Sequence, residues 1–326
     1  MMTIADRVYK KIEIADPLIA ALVSSKPMER LRRINQSGGP VFLEPERNIT
    51  RFEHSVGVWY LLKRFGASRK EQAAGLLHDT PHTAFSHVVD VVFPNENHTF
   101  HERFTRKVIL ESEIPEILKK HGLKTEDILK RDDYHLLEAE LPDLSADRID
   151  YFLRDTRPDL LFPDSLAAMF LDGLFVDRGV FYFKDRGLAA LYATLFITAG
   201  RLLWLDPNSH GSFYLLAEAL KRAMKIGKIT REDFFLTDEE VFAKLRKIED
   251  PLVRKSVSRL RPTTKFEYAP ESEADFSGPN KPRVVDPWVK TAGGKKRVSQ
   301  MVPRLKEFFE HYRKTHKTLA VKMKAV

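Results

Sequence analysis

The 326-residue chain contains no cysteine. That excludes a disulfide framework and any thiolate metal site, so a metal bound here must take nitrogen or oxygen donors. It contains no run of eighteen apolar residues, which argues against a membrane span. The opening stretch "MMTIADRVYKKIEIADP" lacks the apolar centre of a signal peptide. There is no internal repeat and no low-complexity tract. These absences predict a soluble, cytoplasmic protein with no membrane role. With 43% hydrophobic and 10% aromatic residues, the chain can bury one large core, or a main domain plus a smaller one.

Charge is unevenly spread. From Lys290 to Val326 eleven Lys/Arg stand against two Asp/Glu, while the remainder carries 43 basic and 44 acidic residues. The formal net charge of +8 is therefore a basic tail on a neutral body. One reading has the tail meeting phosphates of nucleic acid, nucleotide or a partner. The other is a solvated helix, since "RLKEFFEHYRK" has an apolar face.

Hydrophobic period predicts mostly helix. Residues 15–36 read as two helices broken near "SSKP", followed by a turn at "SGGP". "HSVGVWYLLKRF", "RKEQAAGLLHD" and "TAFSHVVDVVF" continue the 3.6-residue pattern, and "HERFTRKVILES", "IPEILKKH" and "EDILKR" extend it. "SADRIDYFLRD" follows with Ser145 as N-cap. "GVFYFKD" reads as a strand. "AALYATLFITAGRLLWL" and "SFYLLAEALKRAMKIG" form a second helical pair around the turn-rich "DPNSHG". After Arg261 the chain is rich in Pro, Gly and Thr; alternation in "RVVDPWV" and a "GG" turn predict a small β-containing appendage before a basic last helix. The expectation is a mostly α bundle with boundaries at 1–180, 181–260 and 261–326.

The stretch "GLLHDTPHTAFSH" (Gly75–His87) places three of eleven histidines in an apolar run beside an aspartate. A buried imidazole or carboxylate needs a partner to offset its lost hydration. His54, the pair His78–Asp79, and Asp147 lie on three separate helical segments. Two imidazoles and two carboxylates suit Mn, Fe, Co, Ni or Zn, whereas Mg and Ca prefer oxygen throughout. Four such ligands leave positions open for water and a phosphate oxygen. Asp147, Tyr151 and Asp155 fall at i, i+4 and i+8 on one helix face; Asp150 and Arg154 occupy the neighbouring stripe as an i,i+4 ion pair. His78 and His82 lie one turn apart only if the helix runs on through Pro81. His82, His87, Asp90 and His101 then read as an outer ring of proton donors and phosphate ligands.

The ordered set His…His-Asp…Asp resembles the HD superfamily of metal-dependent phosphohydrolases. "RLRRINQSGG", "RFEHSVGVWYLL", "AAGLLHDTPHTAFSHVVD", "HER" and "ADRIDYFLRD" follow the order of its dNTP triphosphohydrolase branch, which includes the sterile-alpha-motif/HD-domain dNTPase and bacterial relatives. The resemblance implies an HD-domain helical bundle and one divalent transition metal ion (Mn, Fe, Ni, Co or Zn) on His54, His78, Asp79 and Asp147, with room for additional Mg arriving with the substrate. It implies Arg51 and Arg148 on the phosphate side. His82, His87, Asp90 and His101 would line the reacting phosphate, with His87 protonating the leaving oxygen. Gln36, Tyr151 and Asp155 would hold the sugar. It also implies a homo-oligomer. The activity expected is hydrolysis of a deoxynucleoside triphosphate to deoxynucleoside and triphosphate. The alternatives are a nucleotidase or other phosphomonoesterase and, from another class, a nucleic-acid-binding module with a structural metal site.

Two departures stand out. The family reads His-Asp-x-Gly-His where this chain has His-Asp-Thr-Pro-His. The second helical pair carries "GRLLWLDPNSHG" in place of a Tyr/His/Arg-rich stretch, leaving Arg201 and His210 as its polar contacts.

Overall fold

The computed structural model describes residues 1–93, 101–130, 133–156, 161–280 and 282–324, with the backbone alone for 101 and 102. An antiparallel hairpin opens the chain: β1 (Met2–Asp6) and β2 (Lys10–Ile14). Alternation in "KKIEI" turns Ile12 and Ile14 inward. Helices α1 (Pro17–Val23) and α2 (Lys26–Leu31) follow. Next, α3 (Arg51–Arg64) begins with a capping box in which Thr50 and Glu53 satisfy each other's backbone N–H, worth about 1 kcal/mol. Ser68 caps α4 (Arg69–Leu77) in the same way from its side chain.

Beyond α5 (Val88–Val92) come the short helices α6 (Thr105–Leu110), α7 (Ile114–Lys120) and α8 (Glu126–Leu129), of which α7 packs on α1 and on α6, and α8 on α4. Helix α9 (Ala146–Asp155) packs against α3, and Ser145 accepts from the Arg148 N–H as expected for its N-cap. Then come α10 (Asp164–Gly173), the hairpin β3 (Leu174–Asp177) and β4 (Val180–Phe183), and α11 (Arg186–Ala199). A π-helical turn, Gly200–Trp204, separates α11 from α12 (Pro207–Lys225). Helices α13 (Asp238–Arg246) and α14 (Pro251–Arg259) complete the second helical group.

The remaining elements are β5 (Phe266–Tyr268), β6 (Phe276–Pro279), β7 (Trp288–Thr291), β8 (Gly294–Arg297), α15 (Val298–Met301), α16 (Pro303–Thr315) and β9 (Thr318–Met323). Strand β7 lies parallel to β4 and antiparallel to β8, while β9 runs antiparallel between β5 and β6. The protein is mostly α with small sheets, as its periodicity predicts.

Two cores result. The first joins the N-terminal hairpin, α1–α4 and α9–α11 to Val284, Val285, Val289, Phe309 and Tyr312 of the C-terminal segment. The second joins α5 and α12–α14 to β5 and β9. The histidine-rich stretch crosses between them: Leu76 and Leu77 belong to the first core, Ala84, Phe85 and Val88 to the second. The polar groups of that seam, His78, Asp79 and His82, are buried between the two cores.

Three expectations are corrected. "TAFSHVVDVVF" is helical only over Val88–Val92, because Phe85 (φ 62°) and Ser86 (φ 49°) adopt a left-handed turn. "DPNSHG" opens a helix: Asp206 caps the Ser209 N–H and Pro207 occupies the first helical position. The basic stretch 290–326 is folded, with Val298, Leu305, Phe309 and Val321 buried and a strand after the last helix. Part of its charge is paired, Arg297 with Asp143 and Lys322 with Glu273. Among the described residues one helix, Arg186–Trp204, is long and apolar enough to cross a membrane. Its Tyr192, Ala193, Phe196 and Ile197 are instead buried in the first core.

Candidate active site

The capping box fixes the start of α3 and so places Arg51 and His54 one turn apart. His54 is buried and donates from Nδ1 to Asp150 Oδ2 at 2.8 Å. His78, the C-cap of α4, donates from Nδ1 to the Gly75 carbonyl at 2.7 Å. Each bond occupies one ring nitrogen as a donor and turns Nε2 toward the carboxylates, the arrangement that outer partners impose on metal-ligating histidines.

The donors converge. His54 Nε2 lies 3.0 Å from Asp147 Oδ1 and 3.8 Å from Asp79 Oδ2. His78 Nε2 lies 3.3 Å from Asp79 Oδ1 and 3.7 Å from Asp147 Oδ1. His54, His78 and Asp79 offer ligand atoms all within 4.8 Å of one another. Two ligands about 2.1 Å from a shared ion lie no more than about 4.2 Å apart, and the separations of 3.0 to 3.8 Å above are within that reach. The residues therefore fit a mixed nitrogen–oxygen cation site: His54, His78 and Asp79 could hold the ion, with Asp147 beside both imidazoles.

Electrostatics run the same way. Burial opposes charge on His54, but hydrogen bonds with Asp147 and Asp150 prevail and push the imidazole up to about 10. A cation held in the cluster would take the role that this proton fills. Burial likewise opposes ionisation of Asp79, yet Arg51, His78 and His82 hold its carboxyl well below the usual range. Asp147 is low as well, its burial outweighed by the two imidazoles.

Behind His54 lies a buried network. Arg154 forks onto Asp150 (2.8 and 3.0 Å) and reaches Asp6 at 3.0 Å, and Tyr9 donates to Asp150 at 2.7 Å. Gly57 makes the approach possible: a Cβ there would stand 1.9 Å from Asp150 Oδ1. The i,i+4 pair Asp150–Arg154 exists as expected. That it also orients His54 is not evident from spacing, because the N-terminal hairpin that completes it is distant in sequence.

The outer ring is partly assembled. Although the helix stops at Leu77, His82 Nε2 comes within 3.3 Å of Asp79 Oδ1. His87 Nδ1 lies 3.1 Å from Asp90 Oδ2, and His87 keeps 41% of its side chain exposed, so solvent reaches it. Burial lowers its pKa and Arg51 and Arg283 add to this, against Asp90. The side chain of His101 lies outside the described residues. Between His82 and His87, the left-handed turn at Phe85–Ser86 is held by Asp238, which accepts from the Phe85 and Asn35 N–H groups at 2.7 and 2.8 Å. It presents the Ser86 hydroxyl, which accepts from Arg51 Nε at 3.0 Å and donates to the Asn35 carbonyl.

Arg51 also donates to Asp79 at 2.8 Å and to the Gln36 carbonyl. Arg148 bonds the Asp143 and Ala139 carbonyls. Both guanidiniums thus organise the protein itself. Gln36 is buried, and its Oε1 has no partner among the described residues. Tyr151 and Asp155 share the Asp147 face of α9, and Asp155 Oδ2 accepts from Trp204 Nε1 at 2.9 Å. Arg201 is exposed and lines a separate cavity of about 670 Å³ with Tyr268, Phe308 and His316. Burial holds His210 down to about 4. Trp204 and Arg283 escape sequence reasoning. A tryptophan in an apolar helix signals core, and Arg283, whose charge is felt by His87 and Tyr151, comes from the far end of the chain.

A sequence model of the HD domain matches residues 51–155. An uncharacterized protein of Bacillus subtilis, YdhJ, is 37% identical over 92% of this chain and 94% of its own length. The metal-dependent phosphohydrolase cns2 of Cordyceps militaris is 28% identical over 90% of this chain and 86% of its own. The deoxynucleoside triphosphate triphosphohydrolase SAMHD1 of Bos taurus is 29% identical over 57% of this chain and 35% of its own. Among solved structures, a phosphohydrolase from Bacteroides thetaiotaomicron has the same fold, with TM-score 0.76 and 19% identity over 98% of this chain and 99% of that one.

Proposed function

The chain belongs to the HD-domain superfamily, and on that premise we propose that it is a metal-dependent phosphohydrolase acting on nucleotides. The observation that carries this reading is the convergence of His54, His78 and Asp79, with Asp147 against both imidazoles. A divalent ion bound there brings the pKa of water toward neutrality and offsets charge on phosphoryl oxygens. The chain's own residues do the rest. Asp150 and the Gly75 carbonyl orient the two imidazoles, while Arg51 fixes Asp79. His87, held by Asp90 at the open side of the cleft, carries the proton that the departing oxygen needs. An arriving phosphate counters the repulsion from Arg51 and Arg283 and so favours the imidazolium form.

Two substrate forms follow. The motif order, together with the distant likeness to SAMHD1, supports a deoxynucleoside triphosphate cut to deoxynucleoside and triphosphate. The state of the arginines favours a monophosphate: Arg47, Arg51, Arg148 and Arg154 all donate to protein acceptors, which leaves them less able to serve a triphosphate chain. Protein loaded in turn with Mn, Fe or Mg should be given the four dNTPs, NTPs and dNMPs, with products identified by mass spectrometry. Nucleoside plus intact triphosphate establishes the first form, and nucleoside plus orthophosphate from monophosphates the second. Absence of any phosphate release with ion bound would contradict the proposal.

A further inference from the structure

Resting on that reading, we propose that Glu71 is a positioning residue for the cation site, bracing α4 against the start of α9 so that Asp147 is set against His78. The candidate ligands come from three places in the chain. His54 is on α3, His78 caps the end of α4 with Asp79 next to it, and Asp147 is the second residue of α9. Helix α3 packs against both α4 and α9. A second tie between α4 and α9 runs through the turn at Leu136–Leu137.

That turn is bonded on both sides. Its N–H groups serve α4: Leu136 and Leu137 both donate to Glu71 Oε1, at 2.9 and 3.0 Å. Its carbonyls serve α9: Leu136 accepts from the Ala146 N–H at 2.7 Å and Leu137 from the Asp147 N–H at 3.3 Å. The first N–H groups of a helix have no partner within it. Here the turn satisfies the first two, and the Ser145 side chain satisfies the third, that of Arg148. The backbone that carries the Asp147 carboxylate is thus tied to a side chain on α4 through two hydrogen bonds in series.

The carboxylate is kept there at a cost. Glu71 is buried, which raises its carboxyl above the usual range, and the Leu137 and Leu136 N–H groups with the charge of His135 offset this only in part. An apolar side chain would fill the space without that cost. What Glu71 adds is one oxygen for two backbone N–H groups; Leu137 shares its N–H with the Tyr134 carbonyl, and Leu136 has no other acceptor among the described residues. Packing follows the same line. One turn along α4, Gly75 admits Leu137: a Cβ there would stand 3.3 Å from Leu137 Cδ1 and 2.2 Å from Leu62 Cδ1. The Gly75 carbonyl is the acceptor that orients His78. The turn therefore rests on the part of α4 that aims His78 while it holds the residue that presents Asp147. His78 Nε2 and Asp147 Oδ1 stand 3.7 Å apart, and a functional site needs such geometry held within about 0.5 Å.

Mn affinity, measured by competition with a chelator, tests this without turnover. Glu71→Leu removes the acceptor and should weaken Mn binding about tenfold, the lower end for residues that support a ligand. Two further variants separate reach from charge, and they decide alone should Glu71→Leu not fold. Glu71→Gln loses the charge but keeps an oxygen that accepts both N–H groups, so its affinity should stay within about twofold of wild type. Glu71→Asp keeps the charge but withdraws the oxygen by about 1.5 Å, one C–C bond, and should lose several-fold. In the ion-free protein, amide exchange at Leu136, Leu137, Ala146 and Asp147 should quicken in Glu71→Leu and Glu71→Asp but not in Glu71→Gln. Val241→Ala, in the second core, should lower the melting temperature and leave Mn affinity unchanged. A Glu71→Gln variant that binds Mn as poorly as Glu71→Leu, or a Glu71→Asp variant that binds as well as wild type, overturns the assignment. So does a Val241→Ala variant that loses as much Mn affinity as Glu71→Leu, since the loss then follows stability alone. Mn bound by a wild type that releases no phosphate defeats the hydrolase reading alone, and the same variants still decide this one. A wild type that binds no Mn overturns both.

Discussion

The floor and the wall of the cleft handle polar groups in opposite ways. On the floor, α3, α9, β1 and the segment after α4 set each buried charge against another: His54 against Asp150, Asp150 against Arg154, Arg154 against Asp6, Asp79 against Arg51. On the wall, Gln36 Oε1 and Asp155 Oδ1 are buried with no partner among the described residues. A closed network fixes geometry for a small ion that always makes the same demands. Unfilled acceptors suit a substrate, which supplies the missing donors only when it is bound. Under the proposed function, chemistry belongs to the floor and selectivity to the wall, and each can be broken separately.

The largest break removes the floor's ligands. His78→Ala combined with Asp79→Ala should lower phosphate release on the order of 10³-fold, since the ion's charge stabilisation is worth several kcal/mol. Full activity in that variant would mean the cluster is not the reaction centre. Next is the proposed proton donor. His87→Ala should cost about 10²-fold on nucleotides but much less on an aryl phosphate, whose leaving oxide departs without a proton. A uniform loss across leaving groups would assign His87 to phosphate binding instead.

A subtler break lies behind the ligands. Asp150→Asn retains the shape but weakens the hold on His54 Nδ1, and metal affinity measured by competition with a chelator should fall 10–100-fold. Because Asp150 also meets Arg154 and Tyr9, the melting temperature should fall with it. The smallest effect is expected where the C-terminal segment meets the cleft. Arg283→Gln should raise KM a few-fold with little change in kcat, the scale of an exposed charge. An unchanged KM would remove that segment from substrate binding.

The floor was also the part legible in the sequence. His54, His78–Asp79 and Asp147 stand out because apolar helices have no other reason to carry them. Ser145, the strand at Val180–Phe183 and the "GG" hairpin between β7 and β8 follow from local signals that the structure retains. What escaped depends on long-range packing. Asp150 looked complete with Arg154 four residues on, and only the folded N-terminal hairpin reveals the shared network. Asp206–Pro207 carries a helix-start signature that the surrounding Asn, Ser and Gly obscured. Trp204 owes its direction to a π-helical turn, where side chains leave the 3.6-residue register used to read them. Arg283, whose charge is felt by His87 and Tyr151, is brought there by the packing of the neighbouring Val284 and Val285 into the first core, which no spacing announces.

The account stands most directly on the cation. Equilibrium dialysis against Mn, followed by elemental analysis of the wild-type chain and of His78→Ala with Asp79→Ala, puts it to the test. One ion per wild-type chain, and less than a tenth of that in the variant, is the predicted result. An ion retained in full by the variant, or a wild-type chain that binds none, would contradict it.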